Sequence, residues 1–261
     1  MIRTILFIIA VVLFAGRTDV LAYNTGDTSL SFKYFDYDIN INSLSSEFFT
    51  GMFSVSKNGT VLFKMDSTFT DYADHKLVDL NKDGSDELLV YLTEGASPYI
   101  FHNLYIFDHK KGPAPLFMVQ NADVDTSGPG NPLILVNSRM SPAVLGLWYS
   151  WFLEYKNGKL VYIKPDNARR EQLSPNYDFV DQTLEELKKE KQICDDFAYN
   201  VFFEYLFITS KISGEESKAE NYFNQNYRCE EKVKALMQFK NAATNTFSWI
   251  KEEENYNYTE Y

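Results

Sequence analysis

The chain has 261 residues, of which 36 are acidic and 25 are Lys or Arg, so its formal net charge is −11. This balance argues against nucleic-acid binding, which needs a basic footprint, and favours a basic protein partner or cations. Aromatic residues make up 16% of the chain, which is ample material for a hydrophobic core.

The N-terminus has the layout of a secretory signal peptide, which we predict over residues 1–22. A basic start at Arg3 precedes an apolar run over residues 5–15, and Val20 and Ala22 suit cleavage after position 22. The run is short for a membrane span, although a retained anchor is the alternative. No later segment is apolar enough to cross a membrane. We therefore expect an exported protein, periplasmic or secreted, with no stable membrane anchor after cleavage.

Residues 23–170 predict a β-rich domain. Short runs rich in β-branched and aromatic residues are bounded by Gly, Pro, Asn and Asp, which is typical of strands. The clearest runs are 53–56, 87–92, 104–107, 133–136 and 151–155. Three similar turns, Lys57-Asn58-Gly59, Lys110-Lys111-Gly112 and Lys156-Asn157-Gly158, lie between such runs. They predict tight hairpins, since Asn-Gly tolerates the positive φ of a type I′ turn.

An internal repeat runs through this region. Residues 79–90 align without gaps on residues 123–134, and each copy is an acidic loop with a Gly at its sixth position, followed by an apolar strand. Periods of about 40 to 50 residues with several strands per unit are typical of propeller blades. Only two or three units fit in the chain, whereas propellers usually have at least four blades. We therefore predict an incomplete, propeller-like β-sheet assembly.

Residues 171–261 predict a helical C-terminal region, which makes the fold class α+β. The first helix is predicted over residues 183–191 with Asp181 as its N-cap, continuing through the aromatic run 197–207 until Gly214 ends it. Further helical stretches are predicted over residues 215–226 and 229–251. The polar tail, residues 252–261, is predicted to be frayed.

The chain contains two cysteines, Cys194 and Cys229. In an exported protein an isolated pair predicts a disulfide, and two free buried thiols are the alternative. The bridge would close a loop of about 35 residues and contribute about 3–4 kcal/mol in the chain-entropy description.

The segment 79–87, with the sequence DLNKDGSDE, indicates a metal site. Calcium prefers six to eight oxygen ligands, and alternate residues of a short loop can supply them. The candidate ligands are the side chains of Asp79, Asn81, Asp83 and Glu87 and the backbone carbonyl of Ser85. Gly84 allows the sharp turn that a side chain would hinder. The alternative is an acidic turn that binds no ion, because these residue types favour turns in any case.

The segment is not an EF-hand, because the twelfth position, which requires a bidentate Glu, is Val90 and a strand follows in place of a helix. It resembles the integrin-type loop of FG-GAP or VCBS-like repeats, in which Asp-x-Asp/Asn-x-Asp-Gly-x-x-Asp/Glu joins neighbouring strands of a propeller blade. This resemblance implies Ca²⁺ as the cofactor and a propeller-like fold for the β-rich half. The second copy keeps Asp123 and Asp125 but has Ser127 and Asn131 in place of acids, which predicts a turn without an ion.

In size, export and the single intact loop, the chain is similar to small periplasmic immunity proteins and lysozyme inhibitors. The expected function is therefore a binding or inhibitory protein that acts on a cell-wall-degrading enzyme or another protein. The three histidines, His75, His102 and His109, form no zinc motif, and no nucleophile motif or phosphate loop occurs, so we expect no enzyme. The alternatives are an exported hydrolase with a structural calcium site and a surface adhesion module.

Overall fold

The computed structural model describes residues 28–43, 51–66, 69–94, 101–128, 130–140, 146–189, 194 and 197–259. The predicted signal peptide, residues 1–22, lies outside them. Within these ranges no helix is long and apolar enough to cross a membrane. Three antiparallel four-stranded sheets are followed by helices, which confirms the α+β class.

Each sheet is a meander in which every strand pairs with its neighbour in the chain. Sheet A contains β1 (Thr28–Tyr34), β2 (Tyr37–Ser43), β3 (Gly51–Lys57) and β4 (Thr60–Asp66). Sheet B contains β5 (Phe69–Val78), β6 (Glu87–Glu94), β7 (Phe101–Phe107) and β8 (Phe117–Gln120). Sheet C contains β9 (Ala122–Asp125), β10 (Leu133–Arg139), β11 (Trp148–Lys156) and β12 (Lys159–Ile163). All five predicted strand segments are confirmed.

Two of the three predicted hairpins are tight turns and the third is not. Asn58-Gly59 and Asn157-Gly158 both have positive φ, and each joins two directly paired strands. The third, at residues 110–112, was predicted wrongly as a tight hairpin, because it belongs to a longer connection between Phe107 and Phe117. A Lys-Lys pair lacks the Asn-Gly preference for two successive left-handed residues, so a longer loop forms here.

Sheet B packs between the other two sheets, and its inner strand β6 is therefore buried on both faces. Successive side chains of a strand point to opposite faces. In β6, Leu88, Val90 and Leu92 join the apolar cluster shared with sheet A, whereas Leu89 and Tyr91 join the cluster shared with sheet C and the helices. This explains why the strand reads as a continuous apolar run.

The two ends of this stack are closed differently. On sheet A, exposed Ser and Asn side chains bond each other across strands, as in Ser29 to Asn42 and Ser31 to Asn40. These polar pairs lie on the solvent-facing side of sheet A. At the other end, Phe202 and Phe203 of the helical region share one apolar cluster with Phe152 of sheet C. Helices therefore complete the core at this end.

The helical region contains α1 (Asn167–Leu173), α2 (Tyr177–Leu187), α3 (Phe197–Ser213), α4 (Glu216–Asn226) and α5 (Lys232–Lys251). The predicted N-cap Asp181 is wrong: it lies inside α2, and Asn176 caps this helix by accepting a hydrogen bond from Phe179 N–H at 3.2 Å. The continuation of the first helix into the aromatic run is also wrong, since α2 and α3 are separate. Gly214, with φ of 77°, follows α3 as predicted.

The predicted disulfide between Cys194 and Cys229 is confirmed, with a Cα–Cα distance of 5.6 Å. It joins the segment before α3 to the segment before α5. The two helices pack against each other, with Phe203 and Phe207 of α3 both stacked on Phe239 of α5. The bridge therefore reinforces a contact that the apolar side chains already make.

The C-terminal tail is docked, and the predicted fraying is wrong for its described part. A 3₁₀ turn, Glu253–Tyr256, brings the Tyr256 hydroxyl 3.0 Å from the Trp151 indole nitrogen, which donates to it. The next residue bridges Phe117 of sheet B, and Tyr258 packs edge-on against Phe63 of sheet A. Tyr256 and Tyr258 thus supply apolar contacts that offset the chain entropy lost when this polar tail is ordered.

Candidate metal centre

The acidic loop connects β5 to β6 at one end of sheet B. Lys82 and Gly84 both have positive φ, 57° and 84°, which folds the loop back on itself. Leu80 is fully buried and anchors the loop to the core. The left-handed glycine at the sixth position is therefore where the sequence predicts it.

The candidate ligand side chains are turned towards the loop backbone. Asp79 accepts hydrogen bonds from the N–H groups of Asp83 (3.0 Å) and Gly84 (2.8 Å). The Asn81 amide oxygen accepts from Asp83 N–H at 2.8 Å, and Asp83 accepts from Ser85 N–H at 3.0 Å. These bonds order the loop.

Glu87 is the buried member of the set, only 2% exposed. One of its carboxylate oxygens accepts from Leu80 N–H at 2.8 Å and the other from the Asn81 side chain at 3.3 Å. The pKa of Glu87 is raised to about 7, first by burial and then by the negative charges of Asp108, Asp83 and Asp79, while the hydrogen bond from Leu80 N–H opposes the rise. Negative charge is therefore concentrated around a carboxyl group that water reaches poorly.

Asp108 belongs to the same acidic centre, although the sequence analysis did not identify it. It is 5% exposed, and its oxygens accept from Lys110 N–H at 2.8 Å and from the Tyr155 hydroxyl at 3.2 Å. The pKa of Tyr155 is raised, first by burial and then by Asp108. In the sequence, Asp108 is recognisable only as an Asp that directly follows an apolar strand. Its burial could not be predicted, because it depends on contact with β11 of another sheet.

Tyr34 of sheet A also contacts the acidic loop. Its hydroxyl lies 3.0 Å from the Asp86 carbonyl and 3.1 Å from the Phe107 carbonyl, and it accepts from His109 N–H at 3.2 Å. Burial raises its pKa to about 12, so the hydroxyl remains protonated and serves as a donor. Residues from sheets A, B and C thus meet at the acidic loop.

Lys110 neutralises part of this charge. Its Nζ lies 2.7 and 2.8 Å from the two carboxylate oxygens of Asp83. That contact holds the pKa of the Asp83 carboxyl below its ordinary value and the pKa of Lys110 above its own. Beside the pair lies a cleft of about 540 Å³. The cleft is lined by Asn81, Asp83, Asp108, Lys110, Lys111, Asn131, Tyr155, Lys156, Asn157 and Gly158.

The second acidic loop is held by protein groups alone. Asp123 accepts from the Tyr91 hydroxyl at 3.1 Å, and Asp125 accepts from both the backbone and the hydroxyl of Ser127. Asn131, at the ninth position, donates to Glu154 at 3.0 Å. The structure therefore brings the two loops to the same end of the molecule but gives them different surroundings.

The donor set of the first loop fits a hard cation in its chemistry, because every candidate ligand atom is an oxygen. Over the described ranges, no three or more His, Cys, Asp or Glu side chains converge as a metal-binding group. A calcium ion here would therefore depend also on the Asn81 amide and on backbone oxygen. The chain matches no protein-family model, no curated protein and no solved structure.

Proposed function

We propose that this chain is an exported calcium-binding protein that acts by binding a protein partner and not by catalysis. The observation that carries the metal assignment is the buried carboxyl group of Glu87, whose pKa is raised by burial and by three neighbouring carboxylates. A divalent cation relieves both effects, since it supplies opposite charge where water cannot. The side chains of Asp79, Asn81, Asp83 and Glu87 would hold the ion, with the Ser85 carbonyl.

Calcium would have a structural role in this proposal. The loop lies where Tyr34 of sheet A and Tyr155 of sheet C contact residues of sheet B. Fixing the loop would therefore fix the loop ends of three sheets relative to each other. We also propose that the three meanders are propeller-like blades, in an array ended by a polar face on one side and by helices on the other.

Isothermal titration of Ca²⁺ into the metal-free protein tests the metal assignment. We expect binding to one site, abolished in Asp83→Asn and unchanged in Asp86→Asn, because the Asp86 side chain is exposed and has no place in the ligand set. At a calcium concentration 100 times the Kd, the free energy of unfolding should rise by about 2.7 kcal/mol. A melting curve that is the same with Ca²⁺ and with EGTA at low ionic strength would refute the assignment.

The partner that the charge favours is a basic protein, and we propose a cell-wall-degrading enzyme, as for an immunity-type inhibitor. A net charge of −11 attracts a basic enzyme over a range set by the ionic strength. The disulfide is consistent with an oxidising compartment, where such enzymes act. Binding and inhibition should be measured across a panel of basic muramidases and amidases at low and high salt. Absence of binding to every member at low salt would refute this partner class and leave the calcium assignment standing.

A further inference from the structure

In sheets A and B, a lysine and an acidic residue from two connections at the same end of the sheet form an ion pair. In a four-stranded meander the first and third connections leave from one end, so the loop after the first strand lies beside the connection after the third. In sheet A this places Lys57 against Asp36, with 3.2 Å between Nζ and the carboxylate. In sheet B it places Lys110 against Asp83 at 2.7 Å. The lysine thus serves as the counter-ion of the neighbouring acidic loop.

Sheet C has the lysine but lacks two of the acids of the first loop. Lys156 occupies the place of Lys110, whereas Ser127 and Asn131 stand at the positions where the first loop has Asp83 and Glu87. Asn131 donates to Glu154 instead, and within the described residues Lys156 forms no ion pair with an acid. At this end of the molecule, a lysine is therefore paired only where the neighbouring connection supplies an acid in reach, among the described residues.

We propose that Lys110 is an internal competitor for the calcium ion, its ammonium group occupying the carboxylate of Asp83 until the metal displaces it. This inference rests on the proposed function, because it describes how that site is regulated. Both oxygens of Asp83 contact Nζ, so the metal cannot use this carboxylate fully while the lysine remains. The positive charges of the ion and the lysine also repel each other.

The surroundings of Lys110 allow this exchange. Its side chain is 44% exposed and lies at the wall of the cleft of about 540 Å³, so the ammonium group can swing into water without disturbing the core. The backbone of the same residue stays in place, because its N–H donates to the buried Asp108. In the absence of metal, the lysine offsets part of the negative charge of the loop and stabilises its fold. In the presence of metal, competition from the lysine raises the calcium concentration that binding requires.

Calcium titration of the purified protein tests the proposal, with Lys110→Met as the variant and Lys156→Met as the matched control. Met keeps the length and apolar stem of Lys and removes the charge. We expect Lys110→Met to bind Ca²⁺ about tenfold more tightly than the wild type, since it loses both the competing contact and the repulsion. Lys156→Met should bind like the wild type. Melting curves in EGTA provide a second readout: Lys110→Met should melt lower than Lys156→Met, because Lys110 pairs with Asp83 of the acidic loop.

The outcomes separate this inference from the proposed function. If the wild type binds calcium and Lys110→Met binds no more tightly, the competition is refuted and the metal site stands. If only Lys110→Met binds calcium, the competition is supported and the proposal that the wild type is a calcium protein fails. If neither binds, both fail, and Lys110 is then the permanent counter-ion of the loop. Equal tightening in Lys156→Met would also refute a role specific to Lys110, because it would reflect net charge alone.

Discussion

Replacing Glu87 by Gln removes a buried negative charge while keeping the shape of the side chain. Folding raises the pKa of this carboxyl from 4.5 to about 7, and each tenfold change in proton affinity is worth about 1.4 kcal/mol. Ionised Glu87 therefore costs the metal-free protein about 3 kcal/mol above pH 7. The substitution also weakens the bonds from Leu80 and Asn81, by about 1 kcal/mol. The net expectation in EGTA at pH 8 is a stabilisation of about 2 kcal/mol.

The sign of the effect depends on pH in a defined way. Below pH 4.5 the carboxyl is protonated in the folded and unfolded protein, so its raised pKa costs nothing. As the pH rises towards 7, the unfolded form ionises first and the wild type loses stability, whereas Glu87→Gln does not titrate there. The advantage of the variant over the wild type should therefore grow by about 2.5 kcal/mol between pH 5 and pH 8.

Urea unfolding in EGTA at several pH values measures this difference, with Asp86→Asn as the control. The control removes the same charge from an exposed neighbour in the loop and should show a nearly constant difference from the wild type. A pH-independent difference between Glu87→Gln and the wild type would refute the raised pKa and, with it, the account of concentrated charge. In saturating calcium the sign should reverse at pH 8, because the ionised wild-type carboxylate binds the metal and the amide binds it poorly.

Two further predictions concern stability away from the acidic loop. Cys194→Ser should lower the free energy of unfolding by about 3–4 kcal/mol, and dithiothreitol should reproduce the loss in the wild type; an unchanged urea midpoint would mean that the bridge constrains the unfolded chain little. Tyr258→Ala should cost about 2–3 kcal/mol, because the ring packs against Phe63 and Tyr105 between sheets A and B. The same urea titration tests this prediction, with Thr259→Ala, at an exposed tail residue, as the control. Equal midpoints for the two variants would show that the Tyr258 ring does not contribute to the free energy of unfolding.

Local features of the fold were predictable because neighbouring residues encode them. Asn58-Gly59 and Asn157-Gly158 specify two-residue turns through their tolerance of positive φ, and both turns occur. Gly214 ends its helix for the same reason. The helix start at Asn176 was missed, although Asn is a preferred N-cap, because the helix-forming run further along suggested a later start at Asp181.

The candidate site was predictable only in part. The spacing of Asp79, Asn81 and Asp83 and the glycine at position 84 predict an acidic loop, and the hydrogen bonds within it follow from that spacing. Its surroundings come from residues distant in the chain: Asp108 and Lys110 from the connection between β7 and β8, and Tyr155 from sheet C. No pattern within a short segment indicates which charges meet across sheets.

The sequence by itself determined five of the strands, two of the three hairpin turns, the end of α3 at Gly214, the pairing of the two cysteines and the spacing within the acidic loop, because each depends on residue type and short spacing. Only the tertiary structure decided that Glu87 and Asp108 are buried together, that Lys110 is the counter-ion of Asp83 and that the polar tail is docked through Tyr258. The physical reason is that burial and charge pairing depend on which surfaces come into contact when the sheets stack. Those contacts decide which charged groups surround the acidic loop.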